Sequence, residues 1–213
     1  MGDQIISKPV KVKICGITTP DQAEIALDAG ADALGVVLYK ASPRNVCIEK
    51  AQLIRSVVSS NSLYIALMVN ATESIVRSAI EKLKPDLLQF HGDESPCFCH
   101  QFNYPFIRAV RMRDGLHIPS VVKQYRAEGG FLFDSWNPST YGGTGVSFDW
   151  SQLPVERSFP LILAGGLTTE NVVRAVDTVS PDMVDVSGGV ETSPGIKDPV
   201  LVKKFITAVK SAK

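Results

Sequence analysis

Cys15 lies in Lys13-Ile14-Cys15-Gly16-Ile17-Thr18, and Asp134 in Leu132-Phe133-Asp134-Ser135; each directly follows a short apolar run. A thiolate and a carboxyl facing each other could serve as base and acid on a sugar phosphate. Most free cysteines, however, are small buried hydrophobes, and an aspartate after a strand is often a solvated carboxylate or a helix cap. Position alone leaves both readings open.

Two paired glycines point to the kind of substrate. Leu163-Ala164-Gly165-Gly166-Leu167 precedes a helix start at Thr168, and Asp185-Val186-Ser187-Gly188-Gly189-Val190-Glu191 follows the last apolar run. Glycines let backbone N–H groups approach an anion with no Cβ in the way. Either pair alone would serve as an ordinary tight turn. Together, after the last two strands, they suit a phosphate. Gly165, Gly166, Gly188 and Gly189, with Asp185 at the head of the second turn, are therefore substrate-binding candidates.

Three further groups border this set. Arg44, in Ser42-Pro43-Arg44, offers a planar fork suited to a carboxylate, although a surface arginine is the plainer reading. His91, in Leu88-Gln89-Phe90-His91-Gly92, ends an apolar run and either orients a substrate group or bonds a loop. Tyr141-Gly142-Gly143-Thr144-Gly145 reads as a loop able to close over substrate, or as a plain connector. Cys97-Phe98-Cys99-His100 has one-residue cysteine spacing and no second ligand pair, so it is read as a loop and short helix, with no metal site.

These residues need a scaffold that brings them to one rim. Eight apolar runs recur: Val10 to Ile14, Ala33 to Leu38, Leu63 to Val69, Leu87 to Phe90, Phe106 to Val110, Phe131 to Phe133, Leu161 to Leu163 and Met183 to Val186. They lack clean polar alternation, as strands buried on both faces do. Helical patterns lie between them. Pro20 to Ala29 stops at Gly30, and Thr72 to Lys84 sets Ile75, Ala79, Ile80 and Leu83 on one stripe. Thr168 or Thr169 is positioned to cap a helix through Val176, and Asp198-Pro199 opens one through Lys210. The fourth and sixth helices are weakly signalled and expected to be short.

Strict strand–helix alternation argues for a parallel sheet with outer helices. Eight units at roughly 25 residues each favour closure into a (β/α)8 TIM barrel over an open doubly wound sheet. The whole chain, residues 1–213, is read as one such domain. In a barrel, the rim at the strand C-termini carries the active site, with phosphate held after strands seven and eight.

Bulk composition narrows the partners. Lys plus Arg equals Asp plus Glu, 22 each, so net charge gives no reason to expect nucleic acid or an anionic membrane. Four cysteines without a regular framework, and an N-terminus with no apolar signal segment, suit a reducing, cytoplasmic setting. Monomer and homodimer both remain open.

The series KICGIT, SPR, QFHGDE, FDS, GGTGVSFDW, LAGGLTTENV and VDVSGGVE resembles the phosphoribosylanthranilate isomerase family of tryptophan biosynthesis, in that family's order from about Lys11 onward. The resemblance implies an Amadori rearrangement of N-(5′-phosphoribosyl)anthranilate to 1-(o-carboxyphenylamino)-1-deoxyribulose 5-phosphate, with no cofactor. It also implies Cys15 as general base, Asp134 as general acid, Arg44 on the anthranilate carboxylate and the four glycines on phosphate. Two departures stand out. Ser187-Gly188-Gly189 replaces the usual Ser-Ser-Gly, losing one hydroxyl, and Leu38-Tyr39-Lys40-Ala41 replaces an aromatic run. The rivals are a sugar-phosphate isomerase of histidine biosynthesis, or a dual-substrate form, and a non-catalytic phosphate-ligand sensor. The histidine-pathway enzymes typically use two aspartates, whereas the first-strand position here is Cys15.

Overall fold

The computed structural model describes residues 9–113, 115–135 and 147–212. The glycine-rich loop Tyr141 to Gly145 lies outside these residues.

The eight apolar runs form eight parallel strands: β1 (Lys11–Cys15), β2 (Ala33–Val37), β3 (Leu63–Met68), β4 (Leu87–Phe90), β5 (Phe106–Met112), β6 (Phe131–Ser135), β7 (Leu161–Leu163) and β8 (Met183–Val186). Each pairs with the next, and β1 also pairs with β8, with Val12 opposite Val184 and Lys13 opposite Asp185. The sheet is therefore a closed barrel. Helices α1 (Pro20–Asp28), α2 (Ile48–Ser56), α3 (Glu73–Leu83), α4 (Pro96–His100), α5 (Ile118–Tyr125), α6 (Val172–Val179) and α7 (Pro199–Ser211) alternate with the strands.

Strand alternation divides the core in two. Val12, Ile14, Leu34, Phe90, Phe131, Phe133 and Val184 pack outward against the helices. Ala33, Ile65, Ile107, Leu132, Ile162 and Met183 fill the barrel interior. Inward positions two residues further along carry the polar groups. Lys13 and Cys15 share the inner parity of β1, Asp134 follows Leu132 on β6, and Asp185 follows Met183 on β8.

Several expectations shift. Cys15 and Asp134 lie inside their strands, not after them, because Cys15 still pairs with Gly35 and the β5–β6 ladder continues to Arg111–Asp134 and Met112–Ser135. The α3 stripe is Val76, Ala79 and Leu83; Ile75 is 42% exposed, since the three- and four-residue spacing from Val76 turns it outward. The N-cap of α6 is Asn171, not Thr168 or Thr169. Thr168 instead belongs to a preceding turn, where its N–H donates to Asn171 Oδ1 at 2.9 Å and Asn171 Nδ2 donates to the Gly166 carbonyl at 2.8 Å. The fourth helix is indeed short, with five residues. Between β6 and β7 the described residues hold one 3₁₀ turn, Trp150–Gln152. Asp198 caps α7 as expected, accepting from Val200 and Leu201 N–H.

A two-stranded antiparallel hairpin, β9 (Glu191–Ser193) and β10 (Ile196–Lys197), follows β8. Its turn is anchored to the start of α1: Thr18 Oγ1 and Gln22 Nε2 both donate to the Gly195 carbonyl. The hairpin therefore lies against the barrel's β1 end.

Candidate active site

At the C-terminal ends of the strands a cavity of about 780 Å³ opens. Cys15, Arg44, His91, Asp134, Asp185 and all four glycines of the two turns border it. The barrel thus gathers these nine residues into one wall.

Cys15 ends β1 on the inner face and is 5% exposed. Burial pushes its thiol up, while the Lys13 ammonium, two residues back on the same face, pulls it down less strongly. Lys13 is fully buried, and its Nζ lies 3.0 Å from Asp185 Oδ1. Burial opposes the Lys13 charge, but Asp185 and Cys15 outweigh it and raise the lysine above its ordinary value. Asp185, read from the sequence as a substrate contact, thus has its Oδ1 committed to Lys13.

Asp134 is held from three sides. Ser135 N–H donates to its Oδ1 at 2.8 Å, and His91 Nε2 lies 3.1 Å from its Oδ2. Gly165, at φ +82°, packs against it so closely that a Cβ there would stand 3.0 Å from Asp134 Oδ1 and 2.6 Å from Ser135 N. His91 Nδ1 is 3.0 Å from Gln89 Nε2, the next inward residue of β4. Behind this, Glu94 accepts from Asn70 N–H and Gly92 N–H and pairs with Arg108 at 2.8 Å, which fixes the loop carrying His91.

The two glycine turns touch. A Cβ on Gly189 would collide with the Leu167 carbonyl oxygen, so the second turn can lie on the first only as glycine. Gly188 to Val190 form a 3₁₀ turn. Beneath it, Lys197 donates to the Ser187 carbonyl at 3.1 Å and to Glu191 Oε1 at 2.7 Å. Burial holds the Lys197 ammonium below its usual range, with Glu191 opposing.

Arg44 crosses over Gly16, whose φ is +78° and where a Cβ would stand 2.5 Å from Arg44 Cδ. Its fork meets Glu191: Nε donates to Oε1 at 2.9 Å and Nη2 to Oε2 at 2.7 Å. Burial would raise the Glu191 carboxyl, but Arg44 and Lys197 together hold it below the usual carboxylate range. Two of the five arginine donors are therefore committed within the protein. The sequence reading had the whole fork available to a ligand.

Four contributors escaped the sequence reading: Lys13, Gln89, Glu191 and Lys197. Strand parity with Cys15 and His91 was the available signal for the first two. The last two sit on a hairpin that reads as loop.

Cys97, Cys99 and His100 do not converge. Cys97 is exposed, Cys99 is buried, and His100 Nε2 donates to the Tyr125 carbonyl at 2.7 Å. Among the described residues no group of three or more His, Cys, Asp or Glu side chains is arranged to hold a metal ion. No helix among them is long and apolar enough to cross a membrane.

Residues 12–208 match the family model for N-(5′-phosphoribosyl)anthranilate (PRA) isomerase. The N-(5′-phosphoribosyl)anthranilate isomerase of Neisseria gonorrhoeae is 45% identical over 199 residues, 93% of this chain and 96% of that protein. That of Pseudomonas putida is 44% identical over 203 residues, 95% of this chain and 98% of that protein. Among solved structures, the phosphoribosyl anthranilate isomerase from Thermotoga maritima superposes with a TM-score of 0.86 at 34% identity, covering 94% of this chain and 98% of that one. A phosphoribosyl anthranilate isomerase in complex with reduced 1-(o-carboxyphenylamino)-1-deoxyribulose 5-phosphate superposes with a TM-score of 0.83 at 32% identity, over 94% and 98% of the two chains. With nearly its whole length matched and a closed barrel carrying these residues on one rim, the chain belongs to the N-(5′-phosphoribosyl)anthranilate isomerase family.

Proposed function

We propose that this chain rearranges N-(5′-phosphoribosyl)anthranilate to 1-(o-carboxyphenylamino)-1-deoxyribulose 5-phosphate. The observation that carries the reading is the placement of Cys15 and Asp134, from β1 and β6, on one cavity that the two glycine turns also border. The chemistry needs an acid and a base on one sugar, with the phosphate held away from both.

The steps balance without a cofactor. Asp134, as carboxylic acid, gives its proton to the ribose ring oxygen, the C1′–O bond breaks, and the anilino nitrogen forms a Schiff base. Cys15, as thiolate, removes the C2′ proton and leaves an enolamine. The enol proton is then lost and C1′ gains one, giving the ketone. One proton returns from the thiol to the carboxylate through solvent.

In this reading the Gly165-Gly166 and Gly188-Gly189 turns supply backbone N–H groups to the phosphate, with Lys197 supporting the second turn from below. Arg44 holds the anthranilate carboxylate with the donors that Glu191 does not take. His91 orients Asp134. The enzyme acts as monomer or homodimer in a reducing, cytoplasmic compartment, where Cys15 stays free. A histidine-pathway isomerase would need an acid where Cys15 stands, and a non-catalytic sensor would have no use for the Cys15–Asp134 pair.

The direct test is the fluorescence decay of freshly generated phosphoribosylanthranilate, with wild type beside Asp134→Asn. Fast decay with wild type and near-background decay with the variant support the activity and the acid. No acceleration by folded wild type discards this substrate.

A further inference from the structure

A lysine with no solvent exposure is rare, and Lys13 is one, standing inside a barrel strand with Asp185 as its ion-pair partner. Such a pair is a weak device for stability, since apolar side chains of similar volume often serve as well. A second feature converges on the same spot. Gly35 of β2 lies beside Cys15 in the ladder, and a glycine within a strand costs backbone entropy and gives up packing. A Cβ at Gly35 would stand 2.9 Å from Cys15 Sγ and 3.0 Å from Lys13 Nζ. Sulfur and ammonium are therefore less than about 6 Å apart, in a space that β2 leaves open for both.

We infer that Lys13 is a positioning residue for catalysis: it is the counter-ion that sets how readily Cys15 releases its proton, and Asp185 tempers it from the far side. The inference rests on the reading of Cys15 as the base.

The other groups around Cys15 do not take this part. Lys197 of β10 and Arg44 after β2 both pair with Glu191 of β9, so their charge is shared with that carboxylate. Asp134 of β6 and His91, just after β4, bond each other and border the same cavity. From β3, Leu67, and just beyond it Val69, present apolar surface to Cys15. Lys13 is the largest influence favouring the thiolate, against the burial that disfavours it. A cation at this range shifts a thiol by about one to three pH units.

The readout is the rate of Cys15 alkylation by iodoacetamide from neutrality to about pH 11, above the ordinary thiol range, resolved by peptide mass spectrometry on the full chain. The exposed thiols are removed as Cys47→Ser and Cys97→Ser. Cys99 is buried, with its thiol pushed up to about 12, and stays silent. Lys13→Met moves the midpoint up by about one unit or more, so alkylation at neutral pH slows about ten-fold or more. Asp185→Asn moves it down, because Lys13 then faces Cys15 without its carboxylate. Opposite shifts from the two halves of one ion pair are what a purely structural pair would not produce.

Where Lys13→Met does not fold, Asp185→Asn, which conserves volume, decides alone. A midpoint that stays or rises in Asp185→Asn overturns the inference, as does an unmoved midpoint in folded Lys13→Met. The base assignment fails separately: Cys15→Ala with full turnover removes it while leaving the alkylation shifts to be read on their own.

Discussion

His91 Nε2 stands 3.1 Å from Asp134 Oδ2, and this contact is one end of a buried relay. Its other end is Gln89, whose Nε2 lies 3.0 Å from His91 Nδ1 and whose Oε1 has no hydrogen-bond partner among the described residues. In this arrangement the Gln89 amide donates to Nδ1, so Nε2 carries the hydrogen and donates to Asp134 Oδ2. Turning the amide over reverses the chain: Nδ1–H donates to Oε1, and Nε2 accepts from a protonated Asp134. The relay therefore accommodates both states that a general acid passes through. His91→Ala is expected to lower kcat about a hundred-fold, the scale of a misplaced reacting group, with a smaller change in KM. Steady-state kinetics check it, and an unchanged kcat removes His91 from the orientation of the acid.

Cys15 makes a pH prediction with a definite sign. A base must be deprotonated to act, and burial raises this thiol above its ordinary value. In the ligand-free enzyme the thiolate fraction is therefore still rising as pH passes through neutrality, and kcat/KM rises with it on the acidic limb. Cys15→Ala is expected to lose about two to four powers of ten in kcat and to abolish that limb. A pH–rate series on both proteins decides the matter. A variant that keeps wild-type turnover rejects Cys15 as the base.

Arg44 is expected to act through KM. Its Nε and Nη2 are fixed by Glu191, so the guanidinium is already oriented before any carboxylate arrives. Arg44→Ala should raise KM about ten-fold or more, by loss of a charge-assisted contact of ~1.5–3 kcal/mol. Arg44→Lys should recover little of it, because an ammonium cannot make the two-point contact with Glu191 that sets the direction. Unaltered KM and kcat in Arg44→Ala would show that the substrate carboxylate is held elsewhere.

The strands were legible because most of the eight runs are apolar on both faces, which is what a barrel wall between an inner and an outer core demands; Lys13, Gln89 and Asp185 interrupt the inner face of three. Their ends were not. Asp134 and Ser135 look like loop residues, yet the ladder to Arg111 and Met112 carries them into β6. Cys15, Asp134 and the glycine turns stood out as candidates by type and place, while the family resemblance supplied their roles. Lys13 could not, because a lysine in an apolar run reads as a solvated edge until a neighbouring strand supplies Asp185. Glu191 and Lys197 lie in a stretch rich in turn residues, and only the β9–β10 pairing brings them together beside the Gly188-Gly189 turn. The wrong stripe on α3 came from counting from Ile75, where Val76 is the residue that faces the barrel.

Cys97 and Cys99, similar in sequence, are expected to behave differently. Cys97 is exposed, and Cys97→Ser should leave stability unchanged. Cys99 has no exposed surface, and Cys99→Ser places a hydroxyl where a thiol packed, at a cost of about 1–3 kcal/mol if it finds no partner. Both variants should keep turnover, since neither thiol borders the cavity. Urea titration of the two single variants separates them, and equal midpoints would mean that Cys99 does not pack as described.

Gly189 offers the sharpest test of the proposed phosphate site. Its close approach to the Leu167 carbonyl is the point where the turn after β8 rests on the turn after β7. Gly189→Ala cannot be absorbed by a side-chain rotation, because the obstructing atom belongs to the backbone. The two turns must separate, and backbone donors aimed at one phosphate then diverge. KM should rise, with a stability loss of about 1–3 kcal/mol from the overpacking. Gly188→Ala is the matched control: its Cβ would stand 3.4 Å from Arg44 Nη2, an ordinary van der Waals contact that leaves the Arg44–Glu191 pair in place. Substrate titrations of the two variants should show a much larger rise in KM for Gly189→Ala. Similar KM values in both would mean that contact between the turns does not shape the phosphate site.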